Sequence, residues 1–149
     1  MNILSPDRSS EFAEDAPARG RSGGREPLVL VAEDHEDMRF LLRYLLEARG
    51  CRVLEAEDGE RALDAALRER PDLILMDGSL PRLDGYTATR RLRETDALRK
   101  VPVVFLSGHA GSDYRHRAIS AGGDDYLVKP LDTAQMDRVL ARHLFKNKA

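Results

Sequence analysis

The sequence predicts an α/β fold, a parallel sheet of five strands covered by five helices, and three observations carry that prediction. Short continuous apolar runs alternate with amphipathic stretches, the runs are rich in Val, Ile and Leu, and polar or turn residues bound each of them. This is the pattern of strand-helix-strand units, whose strands read as unbroken apolar runs because helices cover both faces of the sheet.

The first run, residues 28–31, opens the sheet. In the helix that follows, Met38, Leu41, Leu42, Leu45 and Leu46 recur at i, i+3, i+4, i+7 and i+8, a full apolar stripe, and Gly50 stands where a helix stop belongs. Residues 53–54 make the second strand, and Cys51, just ahead of it, reads as a small buried hydrophobe. Weaker stripes at 62–67, 86–92, 114–121 and 136–144 supply the other helices, while residues 73–76, 103–106 and 126–128 supply strands three to five. Residues 1–26 follow neither period, are rich in Ser, Gly, Arg, Pro and Asp, and read as a disordered tail ahead of a domain at 27–149.

At 149 residues one domain buries about 70% of its unfolded surface and needs no cross-links. With 24 Lys+Arg against 26 Asp+Glu the net charge is -2, which argues against bulk attraction to nucleic acid or an anionic membrane. No apolar run approaches the roughly 18 residues of a membrane span, and no basic-then-apolar start marks a secretory signal. The lone cysteine suits a reducing compartment, so the cytoplasm is the expected location.

Ligands of an open parallel sheet bind beyond the carboxyl ends of its strands. The first strand ends on Glu33 and Asp34, the third on Asp77, the fourth on Ser107 and the fifth on Lys129. Singly, each reads as a cap or loop residue. Together they form a constellation, because three carboxylates held close repel one another and require a cation. A hard divalent ion such as Mg²⁺, which keeps several waters and takes one or two carboxylates directly, meets that need; without a Cys or His cluster, zinc does not fit. Lys129 supplies a point charge and Ser107 a hydroxyl, which with the metal would hold a phosphoryl group on a carboxylate. Asp77 lies between the acid pair and the Ser/Lys side, so it is the expected nucleophile. His35 and His109 read as polar loop residues near this site, His116 and His143 as surface positions on helices, and Arg90-Arg91-Leu92-Arg93 as a solvated basic face.

Val31-Ala32-Glu33-Asp34, Asp72-Leu73-Ile74-Leu75-Met76-Asp77, Leu80-Pro81 with Asp84-Gly85, Ser107-Gly108, and Gly122-Gly123-Asp124-Asp125-Tyr126-Leu127-Val128-Lys129-Pro130 resemble, in order and spacing, the motifs of two-component response-regulator receiver domains. The resemblance covers residues 27–145 and implies a doubly wound, flavodoxin-like sheet of order 2-1-3-4-5. It implies that Asp77 accepts phosphate from a histidine kinase's phosphohistidine. Glu33 and Asp34 would help bind Mg²⁺ with the backbone carbonyl of Ser79, and Ser107 and Lys129 would contact phosphoryl oxygens. By the same resemblance Tyr126 changes rotamer on activation, and the Lys129–Pro130 bond is cis. The chain departs from the family pattern in its Glu-Asp acid pair, in Ser107 where threonine is more frequent, and in Gly78, Gly108 and Gly123.

The expected function is a stand-alone phosphoacceptor switch in a phosphorelay. Its partners would be a histidine kinase or phosphotransfer protein and a downstream protein met through the fourth helix, fifth strand and fifth helix, with homodimerisation on the same face as an option; neither nucleic acid nor membrane is expected as a direct partner. In that expectation the Ser107 hydroxyl swings to the phosphoryl group and Tyr126 moves into the space behind it. The rival readings are a phosphorylation-independent binding module and an aspartyl-nucleophile phosphohydrolase. Ser79 stands where the latter would need a second acid.

Overall fold

The computed structural model describes residues 25–109 and 111–145. Five strands, β1 (Leu28–Ala32), β2 (Arg52–Ala56), β3 (Leu73–Asp77), β4 (Val103–Ser107) and β5 (Asp125–Val128), pair in parallel in the order β2-β1-β3-β4-β5. Five helices connect and follow them: α1 (Glu36–Ala48), α2 (Gly59–Glu69), α3 (Gly85–Arg93), α4 (Ser112–Ser120) and α5 (Thr133–His143). A 3₁₀ turn at Asp96–Leu98 follows α3. The expected tail, apart from Arg25 and Glu26, lies outside the described residues.

Alternation along the strands divides the core into two layers. Val29, Val31, Leu73, Leu75, Val104, Leu106 and Leu127 pack against Leu42 and Leu46 of α1 and Met136, Val139 and Leu140 of α5. The intervening residues Leu30, Ile74, Met76, Phe105 and Tyr126 pack against α2, α3 and α4. The three inner strands are buried throughout, whereas the edge strand β2 exposes Arg52 and Glu55. At about 25 cal/mol per Å² of apolar surface, each fully buried Leu or Ile contributes about 1.5–3 kcal/mol to holding these layers.

Gly50 ends α1 as the sequence predicts, and side chains cap other helices. Gly50 has φ 88°, and the Cys51 N–H bonds the Leu46 carbonyl at 3.1 Å while the Gly50 N–H bonds that of Glu47 at 3.0 Å, a Schellman close that needs the positive φ of glycine. Asp58 caps α2 through the Arg61 N–H, and Asp132 with Gln135 closes a capping box on α5. The Lys129–Pro130 bond is cis, as the resemblance implies.

Three sequence expectations are corrected. Leu41 is 41% exposed, because α1 seats the line of Leu42 and Leu46 on the sheet and turns Phe40, Leu41 and Tyr44 toward solvent. His143 is not a surface residue: its side chain is 11% exposed and its Nε2 lies 2.9 Å from Asp125. Arg93 does not belong to a solvated face. Its guanidinium donates to the carbonyls of Gly122 (2.9 Å), Leu98 (3.2 Å), Arg99 (3.1 Å) and Val101 (2.7 Å) and to Asp124 (2.9 Å), tying α3 to the loops before β4 and β5.

Candidate phosphoacceptor site

Strand register assembles the predicted residues. Ala32 pairs with Met76, so Glu33 stands level with Asp77; Asp77 pairs with Leu106, and Ser107 with Val128, so Ser107 and then Lys129 follow one step beyond. Unpaired strand ends need only this register to converge, since parallel strands all present their carboxyl ends at one edge.

At that edge the Lys129 ammonium donates to Glu33 Oε1 at 2.7 Å and to Asp77 Oδ2 at 3.0 Å. Asp77 Oδ1 accepts the Ser79 N–H at 2.8 Å. Glu33 is fully buried, and its Oε2 accepts both the His35 N–H (3.1 Å) and the His35 ring Nδ1 (3.0 Å), while Arg39 of α1 donates to its carbonyl at 2.9 Å. Asp34 is exposed beside them, 3.3 Å from the same Nδ1. Ser107 is on the other side of β4: its Oγ accepts the His109 N–H at 3.0 Å and donates to the His109 carbonyl at 3.3 Å. That carbonyl also accepts the Tyr126 hydroxyl, and the ring is 4% exposed. Tyr126 therefore already occupies the interior in this structure, where the sequence reading has it move in as β4 is drawn inward.

The electrostatics follow from this packing. Burial lowers the Lys129 pKa, but its hydrogen bonds to Glu33 and Asp77 and their charges outweigh burial and hold the ammonium above the ordinary lysine range. His35 is raised above its usual value, first by its hydrogen bond to Glu33 and then by the charge of Asp34. Glu33, Asp34, Asp77 and Lys129 sum to two negative charges, and the donor atoms of Glu33, Asp34 and His35 lie within 4.8 Å of one another. An oxygen-rich, doubly negative cluster with one exposed carboxylate fits a hard divalent cation that retains its waters.

Glu33, Asp77 and Lys129 are joined at this edge with Asp34 beside them, whereas the Ser107 and Tyr126 hydroxyls are both engaged by His109. Ser79 contributes its backbone N–H to Asp77, and no acid occupies its position. Sequence reasoning placed His35 near the site but missed its grip on Glu33; the signal is its place two residues on, at the helix N-cap. It also missed Tyr86, the second residue of α3, whose ring fills the space beside Gly78.

Comparison with known proteins matches this geometry. The chain is 40% identical over 114 residues to the transcriptional regulatory protein YxdJ of Bacillus subtilis, covering 76% of this chain and 47% of that protein. It is 34% identical to a 14.6 kDa protein of Leptolyngbya boryana, covering 77% and 88%. The chain thus spans about half the length of YxdJ and most of the smaller protein. Among solved structures, the receiver domain of the Pseudomonas aeruginosa sensor histidine kinase PA1611, crystallised with a magnesium ion coordinated in its active site cleft, superposes with a TM-score of 0.75 at 38% identity, covering 80% of this chain and 98% of that one. The chemotaxis regulator CheY4 of Vibrio cholerae gives a TM-score of 0.76 at 25% identity, covering 80% and 100%. The model of the response regulator receiver domain matches residues 29–141, nearly the whole described domain, and the chain belongs to that family.

Proposed function

We propose that Asp77 is the phosphoacceptor of a two-component relay and that a histidine kinase or phosphotransfer protein is the donor. The observation that carries this reading is the Lys129 ammonium spanning Glu33 and Asp77 while Ser79 N–H holds the other Asp77 oxygen. These contacts orient the carboxylate and leave a lone pair of Asp77 to attack phosphorus. The Asp77 O–P bond forms as the P–N bond of the phosphohistidine breaks, and the electron pair returns to the imidazole. Lys129 and Ser107 then meet the phosphoryl oxygens. Glu33, Asp34, Asp77 and the Ser79 carbonyl would hold Mg²⁺, which when bound supplies charge neutralisation at the transferring group.

Ser107 must release His109 to reach the phosphoryl group, and the same His109 carbonyl anchors Tyr126. Phosphorylation thereby alters the α4-β5-α5 surface, which we assign to the downstream protein or to a second copy of the chain, in the cytoplasm. No helix among the described residues is long and apolar enough to cross a membrane.

The test is labelling by acetyl phosphate with Mg²⁺, followed by intact-mass spectrometry. Wild type gains one phosphoryl group and Asp77→Asn gains none. Equal labelling of the variant overturns the assignment.

A further inference from the structure

Gly78, the residue after the phosphoacceptor, has a neighbour that the family motifs do not assign. A Cβ placed on Gly78 would lie 2.7 Å from both the hydroxyl oxygen and Cζ of Tyr86, so the phenol end of Tyr86 fills the space a side chain at position 78 would take. Two neighbours hold the ring. It stacks on Phe105 of β4 with centroids 5.0 Å apart and planes at 15°, and the Arg117 guanidinium lies 4.4 Å above it. The Gly85 N–H, one residue before Tyr86, bonds the Gly78 carbonyl at 3.1 Å and ties the start of α3 to position 78.

Tyr86 is 6% exposed, and no described residue hydrogen-bonds its hydroxyl, which stands against Gly78. With no partner among them, that hydroxyl is available to a ligand beside Gly78. By strand alternation Gly78 follows Met76 onto the face covered by α3 and α4, the face of Ser107, while Glu33 and Lys129 share the opposite alternation with Asp77. A phosphoryl group bridging Lys129 and Ser107 therefore has Tyr86 on its Ser107 side.

We infer that the Tyr86 hydroxyl is a further contact of the group carried on Asp77, donating a hydrogen bond to a phosphoryl oxygen from the place that Gly78 leaves open. This rests on the phosphoacceptor reading above. Burial holds the phenol pKa above its ordinary value against the opposing charge of Arg117, so the hydroxyl remains a donor at neutral pH. The Arg117 cation draws electron density from the ring face, which strengthens that donor.

The test uses beryllofluoride with Mg²⁺ as the phosphoryl probe, on the full chain, in wild type and Tyr86→Phe. The phenylalanine keeps the ring, the Phe105 stack and the Arg117 contact and removes only the hydroxyl. We expect binding to weaken by about tenfold or more, as for loss of a hydrogen bond to a charged group. One bound-fluorine resonance in the ¹⁹F spectrum should shift, with the melting temperature of the free protein preserved. Gly78→Ala, which drives the phenol away, should reproduce the loss. Equal affinity in wild type and Tyr86→Phe, or weaker binding with all fluorine resonances unmoved, overturns the contact and leaves Asp77 as the phosphoacceptor. Absence of binding by wild type overturns both.

Discussion

One ammonium holds two buried carboxylates at the site, Glu33 and Asp77. Glu33 is fully buried and takes its remaining hydrogen bonds from His35. Lys129→Met should therefore destabilise the fold by about 2–3 kcal/mol at pH 7, because it leaves a buried charge uncompensated. Mg²⁺ should restore much of that loss. The folded pKa of Lys129 is raised, so its contribution is complete below the unfolded value of about 10.4 and is lost as pH rises through the folded value. Urea denaturation should show the gap between wild type and Lys129→Met unchanged from pH 7 to pH 9 and narrowing only once pH rises above the unfolded lysine value. The site residues themselves were legible, since Glu33, Asp34, Asp77, Ser107 and Lys129 each stand directly after an apolar run. Tyr86 was not, because its role depends on an absent side chain at Gly78 and on Arg117 from another helix.

Between elements, the misread residues share a cause. His143 lies i+3 from Leu140 and i+7 from Met136, on the buried stripe of α5, and Arg93 follows Leu92 and lies i+4 from the buried Thr89 on α3. Their periods point inward, but a polar residue on an apolar stripe makes sense only when its partner is known, and the partners come from distant segments. Asp125, at the start of β5, receives His143, Arg142 (3.0 Å) and the Tyr126 N–H (2.9 Å). Burial raises its pKa, but these contacts outweigh burial and hold it below the ordinary carboxylate range. A lowered carboxylate contributes stability above its unfolded pKa of about 3.9, lost as pH falls through the folded value. Asp125→Asn should cost about 1–2 kcal/mol at pH 7, and the difference from wild type should vanish on acidification below that range, as followed by circular dichroism.

For the molecule as a whole, the inner strands were readable because burial on both faces removes the ambiguity of half-buried strands, whereas only residues 53–54 of the exposed edge strand β2 were read. The order β2-β1-β3-β4-β5 was not readable from periodicity; it came from the resemblance, since periodicity carries no information about which distant strands pair. The site's charge balance gives a global expectation. Mg²⁺ binding only the native arrangement should stabilise the fold by about 2.7 kcal/mol at a concentration of about 100 times Kd, and Asp34→Asn should blunt the effect. Calorimetry across a Mg²⁺ titration checks this; a melting temperature that does not move would remove the metal from the account. The path of the chain has its own consequence. The Arg25 guanidinium lies 3.4 Å from Asp72, just ahead of β3, and His143 near the end of α5 meets the start of β5. The first and last described segments thus lie at one pole, and Asp77 sits at the other. The described ends sit at the base of the sheet like the foot of a lamp, and the face proposed to meet the phosphodonor is the lit one.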